Sequence, residues 1–199
     1  HIDSSVCINC KACAIACADK NDLPVGVAWR RVLQYGGGKW VDQGGLPVPE
    51  KVFTYSLSVS CMHCEEPACV EACKEKAITK GPDGVVRVAR ERCVGCRSCA
   101  EACPYNAPQF ATLGSVMSKC DMCANLRAEG SNPACVDACS MRAIQFGPIE
   151  ELKRRYGRVN AVEPLPEPRT APSLVITPHA DAEPSGKGTG RILSELAGA

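Results

Sequence analysis

Apolar and polar positions alternate most clearly over Val52-Phe-Thr-Tyr-Ser-Leu-Ser-Val59, and the β-branched residues of that run predict a strand. Val27-Ala-Trp-Arg-Arg-Val-Leu-Gln-Tyr35 predicts another, closed by a turn at Gly36-Gly-Gly38. A short hairpin is expected around Pro82-Asp83-Gly84, leading into Val85-Val-Arg-Val88. Pro148 to Tyr156 reads as a helix that starts at a proline and stops at Gly157, with Glu150 facing Arg154 and Glu151 facing Arg155 one turn on. From Val162 the pattern changes. Pro164, Pro166, Pro168, Pro172, Pro178 and Pro184 precede Gly186, Gly188 and Gly190, a composition that predicts extended structure. Leu174-Val-Ile176 and Ile192-Leu193 would be the anchors of that arm on a partner.

Composition narrows the class. The chain has 199 residues, 45% of them hydrophobic, but cysteine and alanine inflate that share and aromatics make up only 5%. A conventional core would be thin, so bound cofactors are expected to fill part of the interior and to couple their binding to folding. Trp29, Tyr35, Trp40, Phe53 and Tyr55 collect in one stretch, as packing of that segment or as a partner surface. Net charge is +1, which offers no electrostatic case for nucleic acid or a membrane surface. No apolar run approaches the roughly 20 residues that span a bilayer. No charged segment followed by an apolar one opens the sequence, although a first residue of His1 leaves a removed segment open.

The chemistry lies in sixteen cysteines, which fall into four groups: Cys7, Cys10, Cys13, Cys17; Cys61, Cys64, Cys69, Cys73; Cys93, Cys96, Cys99, Cys103; and Cys120, Cys123, Cys135, Cys139. Every group ends in Cys-x3-Cys. The first and third share the pattern C-[IV]-x-C-[KR]-x-C-A-x-A-C. Pro67-Ala-Cys69-Val-Glu-Ala-Cys73 of the second parallels Pro133-Ala-Cys135-Val-Asp-Ala-Cys139 of the fourth, so the sequence is a duplicated two-cluster unit. Disulfides would make a poor scheme of such close pairs. Tetrahedral zinc uses Cys-x2-Cys pairs but needs neither the third cysteine nor the one after x3. Four sets of four thiolates suit four 4Fe-4S clusters.

In two-cluster ferredoxins the cysteine after x3 ligates the other cluster. The interval from Cys73 to Cys93 matches the spacing between two such motifs, so groups two and three pair, and groups one and four pair around them. Cluster one is assigned to Cys7, Cys10, Cys13 and Cys139; cluster two to Cys17, Cys120, Cys123 and Cys135; cluster three to Cys61, Cys64, Cys69 and Cys103; cluster four to Cys73, Cys93, Cys96 and Cys99. The expected fold is α+β, two nested bacterial-ferredoxin-like modules with a β-rich insert and an extended C-terminal arm. Residues 1–24 and 107–160 form the outer module, 25–57 the insert, 58–106 the inner module and 161–199 the partner-binding arm. Lys11 and Arg97, beside clusters at equivalent positions, would raise reduction potentials, and His63 reads as a loop residue near a cluster.

Ile2-Asp-Ser-Ser5, Ser60-Cys-Met-His-Cys-Glu-Glu-Pro-Ala-Cys69, Cys93-Val-Gly-Cys-Arg-Ser-Cys99, Cys103-Pro-Tyr-Asn-Ala-Pro-Gln109 and Phe146-Gly-Pro-Ile-Glu-Glu-Leu152 resemble the iron-sulfur subunit of the dimethyl sulfoxide reductase family of molybdenum oxidoreductases. The resemblance implies a non-catalytic electron-transfer subunit of an anaerobic respiratory complex, with no catalytic residues of its own. Its partners would be a molybdopterin-containing catalytic subunit and a membrane anchor that oxidises quinol, with no nucleic acid. Cluster four would lie nearest the anchor and cluster one nearest the catalytic subunit. Relatives that hold a 3Fe-4S cluster lack the second cysteine of group three; Cys96 is present, which implies four cubanes. The family's export habit implies a peripheral place on the outer face of the cytoplasmic membrane. The same relay run in reverse in a dehydrogenase, and a free polyferredoxin carrier, are the alternatives.

Overall fold

In the computed structural model, which describes residues 1–110 and 116–195, the two long strand signals fold into one hairpin. In sequence order the elements are β1 (Ile2–Asp3), α1 (Ala12–Lys20), β2 (Arg30–Asp42), β3 (Pro47–Ser60), α2 (Ala68–Glu71), β4 (Ile78–Lys80), β5 (Val86–Val88), α3 (Ser98–Ala102), β6 (Gln109–Phe110), β7 (Met117–Ser118), α4 (Ala124–Ala128), α5 (Ala134–Asp137), α6 (Ile149–Tyr156), β8 (Ile176–Thr177) and β9 (Arg191–Glu195). Residues 111–115, inside the span expected for the outer module, and 196–199, at the end of the arm, lie outside the described residues.

The hairpin differs from expectation at its glycines. Gly36, Gly37 and Gly38 lie within β2, and the backbone reverses instead over residues 43–46, where the Gln43 N–H donates to the Leu46 carbonyl at 3.0 Å. The reason is close approach from both sides. A Cβ on Gly36 would lie 2.7 Å from the Phe53 carbonyl, and one on Gly37 would lie 3.1 Å from the Gly190 Cα. These glycines admit neighbouring segments rather than a turn. The sheet runs β3-β2-β9, with β9 supplied by the C-terminal arm in antiparallel register, Tyr35 opposite Ile192. Tyr35 and Tyr55 are buried and lie tilted against each other with Phe53 nearby, so most of the aromatic group packs; Trp40 is 67% exposed.

The expected hairpin at 82–84 forms between β4 and β5, with Gly84 at φ 76°. The expected helix forms as α6 and stops at Gly157, φ 89°. Its ion pair is Glu150 with Lys153 at 2.7 Å, three residues apart, in place of the i,i+4 pairs with the arginines. This exposed pair contributes little.

The arm is extended, yet its anchors turn inward on this protein. Val162, Leu165, Val175 and Ile176 are at most 5% exposed. β8 lies parallel to β1, with Ile176 opposite Ile2 and the Ile2 N–H on the Val175 carbonyl at 2.9 Å. The expectation that Leu174-Val-Ile176 grips a partner is corrected: these residues cover apolar surface of Ile2 and Ile144, which the remainder of the molecule leaves open. Ile192 and Leu193 remain about half exposed, at 45% and 49%.

Two cores result. The larger joins Ile2, Val32, Leu33, Leu57, Val59, Ile144, Val162, Leu165 and Ile176 to Cys13, Cys135 and Cys139. The smaller joins Cys69, Ile78, Val86, Cys99 and Met117. Among the described residues no helix is long and apolar enough to cross a membrane.

Candidate metal centres

Short alanine-rich helices carry the thiols. In α1 the spacing i, i+4 buries Cys13 and Cys17 together with Ala14, and α1 packs on α5, which carries buried Cys135. α2 packs on α3 in the same manner, with Cys69 and Cys99 buried. Small side chains allow this approach, and alanine favours even one-turn helices.

The loops repeat a backbone device. In each group the residue before the second cysteine is left-handed: Asn9 (φ 59°), His63 (45°), Gly95 (69°) and Met122 (58°). For the non-glycine residues that conformation costs about 1–2 kcal/mol each. A strained conformation repeated at equivalent sites marks loops that wrap around something. Beyond the last cysteine of groups two, three and four a second left-handed residue follows: Lys76 (49°), Asn106 (50°) and Arg142 (54°). Each aims the next N–H at that cysteine, with Ala77 to Cys73 Sγ at 3.2 Å, Ala107 to Cys103 Sγ at 3.5 Å and Ala143 to Cys139 Sγ at 3.2 Å. Group one departs from this. α1 continues through Lys20, and the Asn21 side-chain amide stands 3.6 Å from Cys17 Sγ instead.

The sixteen cysteines are free thiols. Cys7, Cys10, Cys13 and Cys139 line one cavity. Cys61, Cys64, Cys69 and Cys103 line another. Cys17, Cys120, Cys123 and Cys135 line a third of about 520 Å³, to whose wall Cys61 also contributes. Cys73, Cys93 and Cys96 are the thiols whose fields act on Cys99. Thiol fields link the groups. Cys13 feels Cys135, and Cys120 feels Cys61. α2 carries Cys69 and leads to Cys73, while α3 carries Cys99 and leads to Cys103.

Burial pushes the Cys17 and Cys99 thiols up to about 11 and those of Cys69 and Cys120 to about 12, and the neighbouring thiols act in the same direction. Such thiols hold their protons until a metal displaces them. The donor set is entirely sulfur, which suits soft ions and iron-sulfur clusters. Among the described residues no three His, Cys, Asp or Glu side chains converge on a point that would hold a single ion. Three of the quartets stand around cavities, as a cluster of several irons requires, so the residues there fit the group.

Polar residues that the sequence did not single out complete the centres. Thr170, on the arm, donates to Cys64 Sγ at 3.2 Å, and Ser58 lies 3.3 Å from Cys13 Sγ. Lys119 is buried and its ammonium bonds the carbonyls of Val86 and Cys120. His63 lies in the loop between Cys61 and Cys64 and is 1% exposed. Burial, then the Lys119 charge, lower its pKa to about 2, so the ring is neutral. Its Nδ1 accepts the Val86 N–H at 3.0 Å, which leaves the proton on Nε2, a buried atom with no partner among the described residues. Lys11 lines the first cavity, as expected of a residue beside a cluster; Arg97 is exposed, with its guanidinium 4.2 Å over the Phe110 ring.

The sequence pattern of the 4Fe-4S dicluster domain family matches residues 52–149, and that of a 4Fe-4S binding domain matches residues 4–21. A mixed helix-and-strand fold with ferredoxin-like 4Fe-4S domains and groups of buried free thiols defines an iron-sulfur protein. The B subunit of the anaerobic dimethyl sulfoxide reductase of Escherichia coli (strain K12) is 47% identical over 194 residues, covering 97% of this chain and 94% of that protein. The subunit of the same name from Haemophilus influenzae is 43% identical over 96% of this chain and 93% of its own length. The B subunit of the polysulfide reductase of Wolinella succinogenes is 36% identical over 89% of this chain and 92% of its own length. The protein belongs to the family of dimethyl sulfoxide reductase iron-sulfur subunits.

Proposed function

We propose that this protein is the electron-transfer subunit of a respiratory reductase and holds four 4Fe-4S clusters. Cys7, Cys10, Cys13 and Cys139 would hold the first; Cys17, Cys120, Cys123 and Cys135 the second; Cys61, Cys64, Cys69 and Cys103 the third; Cys73, Cys93, Cys96 and Cys99 the fourth. When bound, each cluster supplies a one-electron redox centre. The protein's own residues hold the sulfurs, exclude water and direct N–H and O–H groups at the ligands. The observation that carries this reading is the lining of three cavities, which share some walls, by three of the quartets that ligand spacing assigns.

The pairing of α1 with α5 and of α2 with α3 supports two nested ferredoxin-like modules, 58–106 inside 1–24 and 107–160, with residues 25–57 as an insert. The linked quartets support a relay between two partners. Relatives named as B subunits of reductases support a complex with other subunits; in this reading a molybdopterin catalytic subunit docks at one end and a quinol-oxidising anchor at the other, at the outer face of the cytoplasmic membrane. The catalytic step would belong to the partner. The outward half of the arm, with Ile192 and Leu193, remains available to bind one of these subunits.

The test is redox-poised EPR on the complex isolated from membranes without oxygen. Four reducible centres should appear, and a quinol analogue should reduce them. A protein that migrates alone near its own mass of 21.1 kDa would turn the reading toward a free polyferredoxin. Electron flow from the catalytic partner into quinone would turn it toward the reverse relay.

A further inference from the structure

Arg30 opens β2 and is 8% exposed. Its Nη1 donates to Ser58 Oγ at 2.9 Å and its Nη2 to Ser60 Oγ at 3.0 Å. Both acceptors are neutral. Among the described residues no carboxylate pairs with it. Its Nε–H is buried and has no partner among the described residues. A guanidinium buried without an anion is costly, and proteins accept it where an anion completes the site.

The nearest candidates for that anion are thiolates. Burial works against the charge on Arg30, and the fields of Cys135, Cys13, Cys120 and Cys17 outweigh it, so its pKa stands above the ordinary arginine value. Three of these four belong to the quartet that lines the largest thiol cavity, and Arg30 lines the same cavity. Cys13 belongs to the adjoining quartet.

We propose that Arg30 is the fixed counter-charge of the Cys17, Cys120, Cys123 and Cys135 quartet, and that it raises the reduction potential of the centre held there. The inference rests on the ligand reading above. Reduction adds one negative charge, and a cation held in a low-dielectric interior favours the reduced state. The quartet of Cys7 and Cys13 shifts the same way by less, because one of its four thiols faces the guanidinium. None of the four thiols whose fields chiefly act on Arg30 belongs to the quartets of Cys64 and of Cys99. Arg30 is a positioning residue here: it ligates nothing and acts through the sulfurs. Lys11 and Arg97 carry the same sign of charge but not the same burial, so solvent screens them.

The experiment compares the native protein, Arg30→Gln and Arg30→Lys within the intact complex, by redox-poised EPR with iron and labile sulfide measured on each. Arg30→Gln should move one centre to lower potential, so that its reduced-to-oxidised ratio at a fixed potential falls at least about ten-fold, which for one electron is about 59 mV. A second centre should move less and two should stay. Arg30→Lys should return the first towards its native position. Full iron with all four centres unmoved in Arg30→Gln would overturn the proposal. Should Arg30→Gln lose iron, Arg30→Lys decides: full iron with near-native potentials supports the charge, and equal loss overturns it in favour of shape. A native protein that lacks four centres would instead sink the ligand reading.

Discussion

The two cores of this molecule are built on different principles. The larger one surrounds Cys13, Cys135 and Cys139 with aliphatic side chains from β2, β3 and the C-terminal arm. The smaller one, around Cys69 and Cys99, has Ile78, Val86 and Met117 at its centre and little else buried. Its rim is open, with Cys96 exposed and Val94 64% exposed. The larger core also takes in Met62, Cys64, Cys103 and Tyr105 of the inner span, so thin packing is confined to the surroundings of Cys69 and Cys99. The difference teaches where a cofactor would matter most: folding is expected to depend on metal chiefly around Cys69 and Cys99, where aliphatic packing is thin.

Removing iron should separate the regions most sharply. After chelation under reducing conditions, hydrogen exchange should show residues 68–102 losing protection while the β2–β3 ladder keeps it. Uniform loss would break the comparison. Deleting the arm from residue 162 attacks the larger core instead. Val162, Leu165, Val175 and Ile176 would lose burial worth about 1.5–3 kcal/mol each, together about 6–12 kcal/mol. That equals most of the about 5–15 kcal/mol that holds a typical domain, so soluble, iron-replete protein should not be recovered. Recovery of such protein would show the arm to be an accessory.

Single substitutions refine the contrast. Ile176→Ala, at a position fully buried, should lower stability by about 2–5 kcal/mol in denaturant titrations and leave iron content unchanged. Val86→Ala, in the smaller core, should lower iron content instead. The smallest effect is expected from Thr170→Val, which removes the O–H directed at Cys64 Sγ. Stability should fall by about 1 kcal/mol, and one centre alone should become harder to reduce. An unmoved set of potentials would show that this hydrogen bond does not reach the centre's electronics.

The thiol groups were legible because ligand spacing is local. Cys-x2-Cys loops and Cys-x3-Cys helical turns specify which sulfurs share a face without knowledge of the rest of the sequence. The hairpin at Gly84 and the helix before Gly157 were legible for the same reason, as their signals lie within a few residues. Gly36-Gly-Gly38 misled because what it accommodates, Phe53 and Gly190, lies far away in sequence. The arm misled similarly: proline spacing predicts extension, but Val175 and Ile176 find their cover at Ile2, near the opposite end of the sequence, by pairing that no local pattern encodes. Arg30 left a faint trace. Nothing local separates it from the adjacent Arg31, because the buried positions of this strand do not alternate strictly.

The central claim, that four quartets of thiols each hold a cubane, is tested most directly by iron and acid-labile sulfide analysis of the protein purified without oxygen. About sixteen irons and about sixteen sulfides per molecule are predicted. Stoichiometric zinc, cystine pairs, or about half that iron would contradict it.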